Sequence, residues 1–400
     1  MFQHVLAYAG DPIFSLNETF QKDPREGKVN LSIGIYFDGE GKLPVMNSVR
    51  KAQGRLAIEG GPTPYLPIAG IADYRAGVQR LVFGSESSAL VEGRVATLQS
   101  LGGSGALKVG ADFLKRYYPD SSVWISDPSW ENHRVVFEGA GFRVNSYPYY
   151  DGASGGLRFD DMLAELRVLP PHSIVLLHAC CHNPTGVDLT AEQWLAIIAV
   201  LEDRDLIPFV DMAYQGFGQS LDADAFGVRA MADAGVTFLV ANSFSKNFSL
   251  YGERVGGLSV VCRTRDEADR VLGQLASTVR ANYSNPPTHG ATIVSRILND
   301  AELRSEWEIE LGVMRDRILA MRRSMFDGLE GQVDPAMRQR YVEQHGMFTY
   351  TGLTAEQADI LKKQYGVYVL RSGRMCVAGL NERNVDAVVA AIAAVVKPKK

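Results

Sequence analysis

The chain has 400 residues, too many for one compact core, so two lobes are expected. Forty-one Lys and Arg against 46 Asp and Glu leave a net charge of −5 with no long basic stretch, which argues against nucleic-acid binding. Met1 to Phe14 lacks the basic start and apolar block of a signal peptide, and the longest apolar run, Ala387 to Val396, is far short of the ~20 residues of a membrane span.

The four cysteines, Cys180, Cys181, Cys262 and Cys376, form no C-x-x-C pair and read as reduced thiols of a cytoplasmic protein with no metal site. The tail Lys397-Pro398-Lys399-Lys400 reads as a solvated end.

In chain order, Val95–Gln99 reads as a strand, followed by Gly102-Gly103-Ser104-Gly105 and a helix from Ala106 to about Tyr117. Backbone N–H groups and the helix dipole make that junction a ready anion site, although, standing alone, a tight turn with a helix cap is the better account of it. It matches neither G-x-G-x-x-G nor a P-loop. Ser122–Ser126 is a second strand, followed by Pro128-Ser129-Trp130. Ser173–Leu177 is a third and leads into Cys180 to Gly186, where Asn183-Pro184-Thr185-Gly186 is a good turn sequence. Thr190 is placed to cap a helix running to about Asp203.

Ile207–Val210 is a fourth strand and ends at Asp211, a carboxylate that must be paired or poised if buried; Tyr214 lies three residues on. Phe238–Asn242 is a fifth and ends in Ser243-Phe244-Ser245-Lys246; Arg254 precedes a further strand, Gly257–Cys262. The alternation predicts an α/β lobe with a mostly parallel sheet, and such sheets bind ligands at the carboxyl ends of their strands. The last hundred residues read as an α+β lobe. A helix spans about Glu302 to Leu329, a strand Met347–Tyr350, a helix Ala355–Tyr365 and a strand Val367–Leu370, before the final helix.

Any single lysine reads first as a solvated amine. Lys246 differs because of its company: an anion turn, an aromatic, an amide, a carboxylate, a phenol, hydroxyls and a guanidinium on successive strand ends. A lysine in such a place can act as nucleophile or base. Together the strings LGGSGALKVGADFLKRY, SDPSWENH, CCHNPTG, DMAYQGFG, NSFSKNFSLYGERVGG, ANYSNPP and GRMCVAGLN, with VNLSIGIY near residue 30, resemble the fold-type-I pyridoxal-phosphate enzymes, specifically the aspartate and aromatic aminotransferase family. The likeness covers nearly the whole chain.

The resemblance implies a large lobe with a mostly parallel sheet (residues 44–313), a smaller α+β lobe (12–43 and 314–400) and an N-terminal arm (1–11) crossing to the partner of a homodimer. It implies that Lys246 carries pyridoxal 5'-phosphate as a Schiff base and acts as the base at Cα. Asp211 pairs with the pyridine nitrogen, Tyr214 and Asn183 donate to the phenolic oxygen, and Trp130 stacks on the ring. Gly103, Ser104, Ser243, Ser245 and Arg254 hold the phosphate, joined by Tyr65 of the neighbouring subunit. Arg374 takes the substrate α-carboxylate, Gly34 lends its backbone to closure over the substrate, and Arg280 from the other subunit meets a side-chain carboxylate.

Phe37, Leu43, Pro64 and Ser104 lean towards the family's aromatic branch, whereas Asn285 looks like the aspartate branch. The expected activity is amino transfer from tyrosine, phenylalanine and also aspartate to 2-oxoglutarate, by a ping-pong mechanism. A strict aspartate aminotransferase, another reaction on the same fold and a non-catalytic cofactor-binding protein remain the competing readings.

Overall fold

A computed structural model of the chain describes residues 1–8 and 10–396, so the expected solvated tail Lys397–Lys400 lies outside the described residues. The chain divides into two compact units, one of residues 44–317 and one of residues 1–43 with the segment from 318 onward. The strands, in chain order, are β1 (Val29–Asn30), β2 (Val95–Leu101), β3 (Ser122–Asp127), β4 (Arg143–Pro148), β5 (Ile174–His178), β6 (Ile207–Met212), β7 (Phe238–Ser243), β8 (Val255–Val261), β9 (Phe348–Tyr350), β10 (Val367–Tyr368) and β11 (Arg374–Cys376).

In the larger unit seven strands form one sheet in the order β2-β8-β7-β6-β5-β3-β4. Strands β3 to β7 pair in parallel, and β8 runs antiparallel to both its neighbours. Strands β5 and β7 are buried along their whole length, as continuous apolar runs covered on both faces must be. The fold is therefore the α/β arrangement expected, with β8 the exception. Backbone crowding explains the glycines of β8. A Cβ on Gly256 would lie 2.5 Å from the Gly102 carbonyl carbon and 2.6 Å from the Asn242 carbonyl oxygen.

The helix after β2 spans Gly102–Tyr117, so the glycines expected to form a turn are its first turn instead. Gly102 takes φ +67°, a left-handed conformation that lets the chain pass from strand to helix without an intervening loop. Further along, a Cβ on Gly110 would meet the Phe209 ring at 2.5 Å, so the helix backbone lies directly against β6.

Strand β4 was not foreseen. It is an edge strand whose exposed Arg143 and Ser146 interrupt the apolar pattern. The helices Pro12–Lys22, Asn47–Glu59 and Ala72–Phe83 also went unread. The second and third lack side-chain caps, and the first buries no residue fully.

The smaller unit pairs β1 with β10 in parallel and β9 with β11 antiparallel. Arg322 is buried within it and stitches β9 to the preceding turn. Its Nε donates to Gly346 O (3.1 Å), its Nη1 to Tyr341 O (3.1 Å) and Thr349 Oγ1 (2.8 Å), and its Nη2 to Gly346 O (2.7 Å) and Phe348 O (2.5 Å). The helix expected over Ala355–Tyr365 is α-helical to Ile360 and closes in one π turn ending at Gly366, φ +70°.

All four cysteines are buried thiols. Among the described residues no helix is long and apolar enough to cross a membrane; the run Ala387 to Val396 lies in the helix Val385–Val396.

Replacing Gly110 by alanine should lower stability by about 1–3 kcal/mol, because the new methyl has no room against Phe209. Urea unfolding of the Gly110→Ala protein measures this, and an unchanged midpoint would show that the helix can move off the sheet.

Candidate active site

Five strands of the larger unit, β2, β3, β5, β6 and β7, deliver chemistry at or just beyond their carboxyl ends. At β2 the helix Gly102–Tyr117 begins with its N–H groups unused by the helix itself, carrying the positive end of its dipole. Gly103 lies against β7: a Cβ there would come 3.1 Å from Ser243 Cβ. Ser245 N donates to Ser243 Oγ (3.3 Å), and the two hydroxyls are 3.2 Å apart.

Arg254 has φ +55°, uncommon for a residue with a side chain and an instance of stored backbone strain. Its Nη1 donates to Tyr251 O (2.7 Å) and Ser245 Oγ (3.4 Å). Its guanidinium fills the place a side chain on Gly102 would take, 2.7 Å from that ideal Cβ. Helix amides, two buried serines and an exposed guanidinium thus form an anion cup, with Ser104 half-buried at its edge.

Asp211, near the end of β6, is buried and faces His178 in register across to β5. Its Oδ2 accepts from His133 Nε2 (2.9 Å), and His133 Nδ1 is 2.9 Å from Ser129 Oγ. Burial alone would raise this carboxyl, but the His133 hydrogen bond, with the charge of Lys246, outweighs it and holds the group below the usual carboxylate range. Behind it stands a run of rings: His133 to His178 at 5.1 Å, His178 to His182 at 4.2 Å and His182 stacked on Tyr149 at 4.0 Å.

Desolvation and the neighbouring His133 push His178 down to about 3, against the pull of Asp211. His178 is therefore neutral at ordinary pH. Among the described residues, both its ring nitrogens lack a protein partner.

Lys246 follows β7, half-buried, with its Nζ 4.6 Å from the centroid of the buried Tyr214 ring. Asn183 is buried in the turn after β5. That loop is pinned by Asp188, which accepts from Cys181 N (2.7 Å) and His182 N (2.8 Å). Trp130 is half-buried and meets His133 edge-on at 5.2 Å.

Two expected residues stand apart within this chain. Tyr65 is 92% exposed, and Arg280 is exposed at the end of the helix Arg265–Asn282 with Nη1 on Ser284 Oγ. Asn285 Nδ2 donates to Leu66 O (3.2 Å).

In the smaller unit Arg374 begins β11, buried, with Nη2 donating to Ser32 O (2.8 Å) and its guanidinium 4.5 Å from the Phe348 ring centroid. Gly34 packs on the same ring: a Cβ there would lie 2.8 Å from Phe348 Cζ.

The sequence reasoning passed over His133, His178 and Phe348. His133 is 78 residues from Asp211, and no local pattern joins them. The register of β5 with β6 would have flagged His178.

The residues fit a phosphorylated, ring-bearing cofactor. The cup excludes side chains where a phosphate would rest, and a buried carboxylate is kept ionised beside an amine.

Comparison with known proteins agrees with this chemistry. The sequence profile of the family described as aminotransferase class I and II matches residues 26–392. A solved aromatic amino acid aminotransferase from Burkholderia cenocepacia is 65% identical, with 99% of each chain covered and a TM-score of 0.96. An aromatic-amino-acid aminotransferase from Burkholderia pseudomallei, solved covalently bound to pyridoxal phosphate, is 52% identical over 99% of this chain and 100% of that one, with a TM-score of 0.97. The aspartate aminotransferase of Pseudomonas aeruginosa is 52% identical over 98% of each chain.

A histidine held neutral by burial has a folded pKa below its unfolded one. It costs nothing above about pH 6.5, and its cost grows as the unfolded chain takes up the proton in acid. Two pH units below that point the cost is roughly 2–3 kcal/mol. Relative to wild type, His178→Asn should therefore lose less stability between pH 6.5 and 4.5, read as urea midpoints. Parallel losses in the two proteins would mean that His178 does not carry this effect.

Proposed function

Since this chain belongs to the class I and II aminotransferases, we propose that it moves amino groups from tyrosine, phenylalanine and also aspartate to 2-oxoglutarate, with pyridoxal 5'-phosphate bound through Lys246. The observation that carries the reading is that Asp211, near the end of β6, and Lys246, three residues past the end of the adjacent β7, lie beside the anion cup of Gly103, Ser243, Ser245 and Arg254, drawn from the ends of β2 and β7 and the start of β8. Bound there, the cofactor supplies an electron sink for the pair left at the substrate Cα.

The protein's own groups do the rest. Asp211, kept ionised by His133, holds a proton on the pyridine nitrogen. Tyr214 and Asn183 donate to the phenolic oxygen, and Trp130 lies against the ring face. Ser104 joins the cup's phosphate contacts. Lys246 Nζ takes the Cα proton and returns it at the cofactor's C4′, across the nitrogen that joins the two carbons, general-base work that contributes about 10²–10⁴-fold.

Arg374 grips the α-carboxylate as a fork, a task lysine performs poorly, and Gly34 offers backbone in the space that Phe348 denies to a side chain. Tyr65 and Arg280, exposed in their own chain, act in the site of a second copy. The arm over residues 1–11 docks on that copy; Phe2, Leu6 and Tyr8 are exposed apolar groups suited to it. Phe37, Leu43 and Pro64 favour aromatic side chains. Asn285, tied to Leu66 O beside Tyr65, and the 52% identity to an aspartate aminotransferase favour the second reading, a strict aspartate enzyme.

Steady-state kinetics separate the two. Tyrosine and phenylalanine should turn over with 2-oxoglutarate at rates comparable to aspartate, and absence of tyrosine turnover would leave the aspartate reading. Lys246→Ala should abolish the pH-dependent visible absorbance of the purified protein and nearly all turnover. Arg280→Leu should lower kcat/KM for aspartate at least 100-fold while phenylalanine changes less than tenfold, since one desolvated charge pair is worth about 2–5 kcal/mol. Mixing the Lys246→Ala and Arg280→Leu proteins should restore part of the aspartate activity through hybrid sites, and no recovery would count against shared sites.

A further inference from the structure

Outside the constellation above, the larger unit carries a cleft of about 340 Å³ lined by Arg80, Arg229, Arg304 and Arg315, with Asp222 and Glu308. We propose that it is an effector site for a small phosphate-bearing anion whose occupancy is felt at Lys246.

Charge comes first. The whole chain is net negative, yet four guanidiniums converge here against two lining carboxylates, with the exposed carboxylate of Asp316, 3.7 Å from Arg315 Nε, as a third. The arginines are the more buried partners of their ion pairs. Arg229 is 26% exposed against 83% for Asp222, and Arg304 is 32% exposed against 42% for Glu308.

Each arginine is also held in place by a bond that leaves donors over. Arg229 Nε and Nη2 reach Val82 O and Leu81 O, both at 3.3 Å, at the end of the helix Ala72–Phe83. Arg315 Nη1 reaches Gly216 O (3.3 Å), Arg304 Nε reaches Glu308 (2.9 Å) and Arg80 Nη2 reaches Asn299. A guanidinium has five N–H donors, so none of the four is used up. Donors arriving from separate elements suit the several oxygens of a phosphate better than one flat carboxylate. The volume lies at the small end of metabolite sites.

Coupling runs through hydrogen bonds. Leu81 O accepts from Arg229 Nη2 and also from Gln215 Nε2 (3.1 Å), which reaches Leu221 O as well (2.9 Å). Gln215 follows Tyr214, and its carbonyl accepts from Asn247 Nδ2 (3.2 Å). Asn247 follows Lys246, and its carbonyl accepts from Trp307 Nε1 (2.7 Å) on the helix that bears Arg304 and Arg315. An anion that draws the four arginines together therefore pulls on the turns that carry Tyr214 and Lys246.

The test titrates cofactor-loaded enzyme, whose phosphate cup is already filled, with inorganic phosphate, pyrophosphate and glycerol 2-phosphate by calorimetry at low salt. The three probes separate a free inorganic ion from a phosphate monoester as the natural occupant. At least one should bind once per chain, with affinity falling at least tenfold in the Arg80→Gln/Arg304→Gln protein, which should keep basal activity because the two side chains bond to Asn299 and Glu308 and not to Leu81 O or Gln215. The same probe should change wild-type kcat at least twofold and leave the variant unchanged.

No binding by any probe, equal affinity in the variant, or a rise in KM alone, which marks binding at the substrate arginines, would each overturn the proposal. The kcat arm rests on the transamination proposed above. The calorimetric arm does not, so the failure of one reading is distinguishable from the failure of the other.

Discussion

A carboxylate shut away from water becomes a neutral acid unless its neighbours keep it charged, and Asp211 is where this molecule meets that constraint. Strand β6 carries it to a position where solvent cannot help. What keeps it ionised is a hydrogen bond from a histidine that is itself fixed beside Ser129, together with the charge of a lysine one strand away. Much of the surrounding structure serves that arrangement. The parallel register brings His178 level with Asp211, and the turn after β3 starts the helix that presents His133. Removing the donor of such a buried hydrogen bond leaves the carboxylate unsatisfied, at a cost of about 1–3 kcal/mol or more.

The anion cup shows the opposite economy, in which space is kept by leaving side chains out. Gly102, Gly103 and Gly256 bring three backbone segments so close that a Cβ would collide at Gly102 and Gly256 and crowd Ser243 at Gly103. The guanidinium of Arg254 occupies one of the gaps, and holding it there takes a left-handed backbone that a non-glycine residue adopts only under constraint. Strain of this kind persists where the surrounding structure over-determines it, and here β8 begins on the next residue with every position buried.

The smaller unit repeats this logic for a cation. Arg374 is buried, anchored by Ser32 O and set against the face of Phe348, and the same ring forces residue 34 to be glycine. Arg322 is held even more completely, by carbonyls of the turn before β9 and of β9 itself, so the strand pairing next to Arg374 is rigidly set. A guanidinium immobilised in this way is a better fork for a carboxylate than a flexible one, because little freedom is left to lose on binding.

What the sequence determined by itself was the chemistry of particular positions and the type of the central elements. Ile174 to Leu177 and Phe238 to Ala241 are apolar runs that only a doubly covered sheet can bury. The polar residues that follow them, Asn183 and Lys246, could be read as a ligand site from position and residue type. The family followed from strings whose order along the chain is itself information.

Tertiary structure alone decided the rest. Strand β4 is polar because it is an edge, and β11 is three residues long, so neither leaves a local period to read. The bond from His133 to Asp211 joins residues 78 positions apart, and the four arginines of the cleft come from three helices far apart in the chain; such pairings arise from packing, not from spacing. Periodicity records which face of an element is buried. It carries no record of what that face is buried against.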